Sequence, residues 1–187
     1  MGIISNFRNL FTSKTPAVAF ATGFVFPYSA DPLVKRQQLI DNLQHGILFE
    51  DTGVFIPWNM SFKDIDRIAE QRRVSGDRTN WFLGQHTIMD GYVSLVGVMK
   101  WLFVKDTAPF SQINEFLGED YAGCRKFILL KDRFMEMFGE PNVNDPEMFG
   151  DLDIGVYQWD LNKINITLVG IEQFSCKYRL HIGLKER

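Results

Sequence analysis

Hydrophobic and polar residues alternate most regularly near the C-terminus, where Cys176, Tyr178, Leu180, Ile182 and Leu184 interleave with Lys177, Arg179, His181 and Lys185. A period of two places one set on each face of an extended chain, so this segment predicts a strand with one buried and one solvated face. VYQWDLN and INITLVGI, just before it, complete an antiparallel meander of three strands. Upstream, TNWFLGQHTIM and YVSLVGVMKWLFV flank Asp90-Gly91, a dipeptide suited to the left-handed turn of a tight hairpin. GILFE and VFIPW surround Asp51-Thr52-Gly53 and predict a second, shorter hairpin.

Between the strands the period changes to that of a helix. In SADPLVKRQQLIDNLQHG, Asp31 can accept from first-turn amides and Pro32 loses no hydrogen bond at the first position. Leu33, Leu39, Ile40 and Leu43 form the apolar stripe, and Gly46 lies just past the stop. NMSFKDIDRIAEQRR predicts a helix opened by the capping pair Ser61 and Asp64, with Phe62, Ile65, Ile68 and Ala69 inward and Arg72 and Arg73 on the wet face. TAPFSQINEFLG predicts a short helix ending near Gly118. EDYAGCRKFILLKDRFMEMFGEP predicts the longest one, stopped by Gly139 and barred from continuing by Pro141. At the N-terminus, Ile3, Ile4, Phe7, Leu10 and Phe11 form an amphipathic helical pattern, followed by a buried strand in PAVAFATGFVFPYSA.

These elements predict an α+β fold with antiparallel sheet in two similar β regions and about four helices packed on one face, in a single domain over residues 1–187. SLVGV and TLVGI recur, each preceded by a tryptophan (Trp81, Trp159), which divides the chain into candidate degenerate halves, 46–104 and 119–185. The two LVG triplets read as equivalent central strands, with Gly97 and Gly170 where a neighbouring backbone or ring comes close.

Composition narrows the function. The 187 residues are 45% hydrophobic and include 17 Phe, ample for a core and incompatible with a disordered chain. A net charge of −3 argues against non-specific nucleic-acid binding, which needs a strong basic field. Cys124 and Cys176 are isolated and the three histidines scattered, the pattern of core thiols in a reducing cytoplasm without a metal site. The N-terminal apolar run is too short to span a bilayer.

Catalytic motifs are missing: there is no P-loop, GxGxxG or GxSxG, and no cofactor is implied. His86 and Asp90 share strand parity but are too far apart for a direct pair. From Arg133 to Lys163 no basic residue intervenes, whereas Glu136, Glu140, Asp145, Glu147, Asp151, Asp153 and Asp160 all fall there. Most lie in EPNVNDPEMFGDLD, which reads as an acidic loop exposing Met148 and Phe149. Asp145, Glu147, Met148, Phe149, Asp151 and Asp153 are therefore the candidate partner-binding residues: acids steer a basic partner and an aromatic anchor supplies contact energy.

A helix ending in Phe138-Gly139-Glu140-Pro141, the acidic segment, Trp159 and a closing meander resemble, in layout, small bacterial immunity proteins that neutralise polymorphic or contact-delivered toxins. GVFIPWNMSFKDIDRI has a similar character. The resemblance implies a cytoplasmic, non-enzymatic inhibitor that occludes a cognate protein toxin, such as a basic nucleic-acid-acting domain, without touching nucleic acid itself. Two other classes stay open on the residues alone: an enzyme with a carboxylate-based cleft, and a peripheral membrane adaptor using the N-terminal segment.

Overall fold

The computed structural model describes residues 24–116, 121–149, 152–172 and 176–185. The expected N-terminal helix and most of the strand after it lie outside these residues, and Phe24–Ala30 follows an irregular path. Asp31 caps the first helix, α1 (Pro32–Leu43), accepting from the Leu33 and Val34 amides at 2.9 and 3.1 Å. The helix ends at Gln44, and Gly46 instead opens β1 (Gly46–Phe49), which pairs with β2 (Val54–Pro57). A Cβ at Gly46 would lie 2.8 Å from Phe55 and Pro57, so glycine is required there by the close strand approach. The Trp58 indole donates to the Leu43 carbonyl at 2.7 Å and locks the hairpin onto the end of α1.

Helix α2 (Phe62–Ile68) starts at Ser61, whose hydroxyl accepts from the Asp64 amide at 3.2 Å and donates to the Asp64 carboxylate at 2.6 Å. It is shorter than its sequence pattern predicts. Ala69 is extended, Glu70 donates its amide to Phe82, and Gln71–Ser75 becomes β3, paired with β4 (Arg78–Ile88). After Ala69 only Val74 is apolar, so a longer helix would have had no stripe to bury, whereas an edge strand leaves Arg72 and Arg73 in water.

The chain continues through β5 (Tyr92–Trp101), β6 (Gln112–Phe116), α3 (Tyr121–Phe138), β7 (Val143–Phe149), β8 (Leu152–Leu161), β9 (Ile164–Glu172) and β10 (Cys176–Leu184). One antiparallel sheet of eight strands results, in the order β3-β4-β5-β6-β10-β9-β8-β7, beside the two-stranded β1-β2 ribbon. Two expectations are corrected. The segment TAPFSQINEFLG contains strand β6 rather than a helix, leaving three helices among the described residues. The two β regions merge into one sheet because β6 pairs with both β5 and β10. Ile113 sits opposite Ile182 in the core, and a helix here would have left the inner edges of β5 and β10 unpaired.

Each half of the sheet is a helix followed by four strands: α2 with β3–β6, and α3 with β7–β10. Both helices lie on the same face. Val96, Leu180, Leu168 and Tyr157 share that covered face and are buried. Phe127 of α3 packs near Tyr157 and Tyr178, and Phe134 meets Trp159 edge-on at 5.4 Å. In the first half, Phe62 of α2 stacks on Trp81 at 5.6 Å.

One turn gathers the layers. Met89, Asp90 and Gly91 all take positive φ (48°, 60° and 89°) between β4 and β5. Glu50 accepts from the Asp90 and Gly91 amides at 2.7 and 2.8 Å, Lys35 of α1 pairs with Asp90 at 3.0 Å, and Arg133 of α3 donates to the Met89 and Asp90 carbonyls. Burial and the neighbouring Glu50 charge push the Tyr28 phenol well above its ordinary range.

Candidate functional site

No described element packs on the second face of the sheet. The ladder register runs a single row of side chains across it: Gln71, Phe82, Gly97, Asn114, His181, Thr167, Gln158 and Val143, one from each strand. The row changes character at its middle. Along β5 the exposed positions are apolar, whereas from β6 to β8 they are mostly polar.

On the polar side, Gln112, Gln158, Asp160, Asn165, Thr167, His181 and Gly183 line a shallow groove of roughly 670 Å³. A directed hydrogen-bond chain crosses its floor. The Thr167 hydroxyl donates to the Asn165 side-chain oxygen at 2.6 Å, and the side-chain amides of Asn165 and Gln158 donate to the same Asp160 oxygen at 3.0 and 3.1 Å. Lys185 stands 3.8 Å from that oxygen. His181 is held below its ordinary pKa by burial first and by the Arg179 charge second, so at neutral pH it presents a neutral imidazole. Beside it, Asn114 is only 2% exposed, yet among the described residues neither atom of its side-chain amide has a partner. An unpaired buried amide costs about 1–3 kcal/mol. This is the kind of cost a binding surface carries until a partner satisfies it.

On the apolar side, Val93, Leu95 and Trp101 of β5 point outward and are substantially exposed. Trp101 stacks on Phe103, itself 82% exposed, and the Arg78 guanidinium lies 4.6 Å over the indole. A merely solvated face needs no such cluster.

Of the sequence-predicted residues, Asp145 falls at the β7 margin of this face. EPNVNDPEMFGDLD is not a loop: Val143–Phe149 and Leu152–Leu161 form a hairpin at the sheet edge. Hydrogen bonds through Asn142 start it, from its amide to the Gln158 carbonyl and from the Asp160 amide to its side chain, each at 2.7 Å. Pro146 is tolerated because an edge strand has one unpaired side. Asp145 is exposed and sits opposite Val156, on the uncovered face. Glu147, Met148 and Phe149 follow along β7, with Met148 opposite Asp153 and Phe149 opposite Leu152. The side chains of Glu147, Met148, Phe149 and Asp153 lie outside the described set, as does Asp151 altogether.

The hairpin therefore brings the predicted segment together as two paired strands. What the sequence reading missed is the face beside it, including Asn114, Asp160 and His181. The signal was present: the outward positions of β8, β9 and β10 are Gln158 and Asp160, Asn165 and Thr167, and Arg179 and His181, a polar grid when the strands are read side by side. His86 pairs with Asp51 at 3.1 Å and stacks on Phe49, while Asp90 serves the turn. Burial raises the Asp51 carboxyl, but hydrogen bonds from His86 and the Thr87 amide outweigh it and hold the group below its ordinary range. Among the described residues no His, Cys, Asp and Glu cluster could hold a metal, and no helix is long and apolar enough to cross a membrane. Cys124 and Cys176 lie on α3 and β10, with side chains outside the described set.

Comparison with protein-family models, with curated proteins and with solved structures finds no match.

Proposed function

We propose that this chain is a non-enzymatic binding protein that uses the uncovered face of its sheet to engage and block a basic protein partner. The partner class is a cognate toxin met in the cytoplasm, as the layout of the sequence implies. The observation that carries the reading is the composition of the uncovered face: exposed Val93, Leu95 and Trp101 on one side, and an acidic margin with Asp145 and Asp160 on the other. The apolar side would supply contact energy, and the acids would guide a basic surface into register.

The test is co-purification with the product of a neighbouring toxin-like gene, followed by affinity measurement at two salt concentrations. Leu95→Lys and Trp101→Ser are expected to weaken the complex mainly through faster dissociation. Changing Asp145, Glu147, Asp151 and Asp153 together to Asn or Gln is expected to slow association and remove its salt dependence. Tight binding retained by both sets of variants would exclude this face as the site.

A further inference from the structure

The two outer edges of the eight-stranded sheet carry opposite charges. At one end β3, Gln71-Arg72-Arg73-Val74-Ser75, is exposed along its whole length. At the other, β7 is exposed from Val143 through Pro146 and carries Asp145 and Glu147. Among the described residues neither outer strand has a strand partner on its outer side, although Pro146 in β7 has no amide to offer there.

Strand direction makes the edges compatible. Every neighbouring pair in the sheet is antiparallel, and the number of strands is even, so β3 and β7 run in opposite directions. A second copy placed beside the first, with its uncovered face on the same side, would thus lay its β3 antiparallel to the first copy's β7. Charge separates this arrangement from the alternatives. Two β7 strands would bring like acids together at Asp145, and two β3 strands would bring like bases together at Arg73, whereas β3 against β7 sets arginine against acid. Arg73 is opposite Asn80, and Asp145 opposite Val156, so both belong to the uncovered face and can meet across the new seam.

We infer that β3 of one copy pairs with β7 of the next, giving head-to-tail self-association through a continuous sheet. Such a contact is heterologous, so it adds copies in a line or ring rather than closing as a two-fold dimer. The seam is short and charged, so it forms at high protein concentration and low salt. It stands independently of the toxin-binding reading, since it needs no other protein.

Sedimentation velocity on the full chain, from micromolar to millimolar concentration, tests it directly. The wild-type protein should show an average sedimentation coefficient that rises with concentration and falls with added salt. Arg73→Glu alone and Asp145→Lys alone should each weaken association about five- to tenfold. An equimolar mixture of the two variants should associate again, because the acidic β7 edge of the first meets the basic β3 edge of the second. Recovery on mixing also shows that both variants are folded. A monomer at every concentration, or association that neither substitution changes, would overturn the inference.

Discussion

Two pairs of features invite a comparison of the halves of this protein, and only one pair keeps the same face and the same kind of anchor. Trp81 and Trp159 stand on the second strand of their respective halves, buried on the covered face. Each donates its indole N–H toward its own helical layer: Trp81 to Asp66 of α2 at 2.6 Å, Trp159 to the Gly139 carbonyl just past α3 at 2.8 Å. The LVG triplets do not correspond. In β9, Leu168 and Gly170 face inward, and a Cβ on Gly170 would come within 2.9 Å of Ile154 and 3.1 Å of Phe127. In β5 the phase is reversed, so Leu95 points outward with 38% exposure while Val96 is buried. The same three letters serve opposite faces, because a shift by an odd number of residues exchanges the faces of a strand. A tryptophan anchored to a helix is a stronger sign of equivalence than a short apolar string.

The largest effects should come from the tryptophan pair. Trp159→Ala and Trp81→Ala should each cost about 3–5 kcal/mol in urea denaturation, through the cavity left and the hydrogen bond lost. Similar costs would support equivalence, and a Trp81 variant with little effect would break it. The false pair should separate cleanly. Leu168→Ala should cost about 2–5 kcal/mol, whereas Leu95→Ala should change stability by under about 0.5 kcal/mol. Equal losses at the two leucines would contradict the phase assigned to β5.

The α+β class, the closing three-strand meander and the faces of β10 could be read from the chain because local pattern and tertiary burial agree there. Tyr178, Leu180 and Ile182 are buried as their alternation requires, and Gly139, at φ 82°, closes α3 as its place before Glu140-Pro141 suggests. The failures occur where burial comes from a distant strand. Gln112–Phe116 has too few apolar residues to announce a strand, and becomes one because β5 and β10 both need a partner. The acidic segment looks like a loop because it is polar and contains Pro146, yet an edge strand permits both. Asn114 and His181 lie more than sixty positions apart, opposite one another only once the halves join, so their meeting could not be read from local patterns.

The halves are also tied to each other, and that tie predicts a smaller effect. Glu50→Gln leaves an amide in place of the carboxylate that accepts both turn amides, while Lys35 and Arg133 still reach the turn from α1 and α3. A loss of about 1–3 kcal/mol is expected. Hydrogen exchange should show faster opening at Asp90 and Gly91 before the β8–β10 core responds. If the whole sheet opened together, the turn would be a seam between the halves rather than a local brace.

The smallest effect distinguishes the faces by pH. The folded-state pKa of His181 lies below its ordinary value of 6.5. Between those two values the unfolded chain binds a proton that the folded chain does not, so stability falls as pH drops through that interval and levels off below it. Asp51, also held below its ordinary value, has the same sign but acts at lower pH, in the carboxylate range. His181→Asn should therefore flatten the stability profile just below pH 6.5 and leave the more acidic limb to the carboxylates. Since His181 lies beside Asn114 on the uncovered face, a bound partner covering that face should depress its pKa further by excluding water. NMR titration of the imidazole with and without the partner would detect the shift. An unchanged His181 titration in the complex would place the partner elsewhere, on the apolar side of the same sheet or off it altogether.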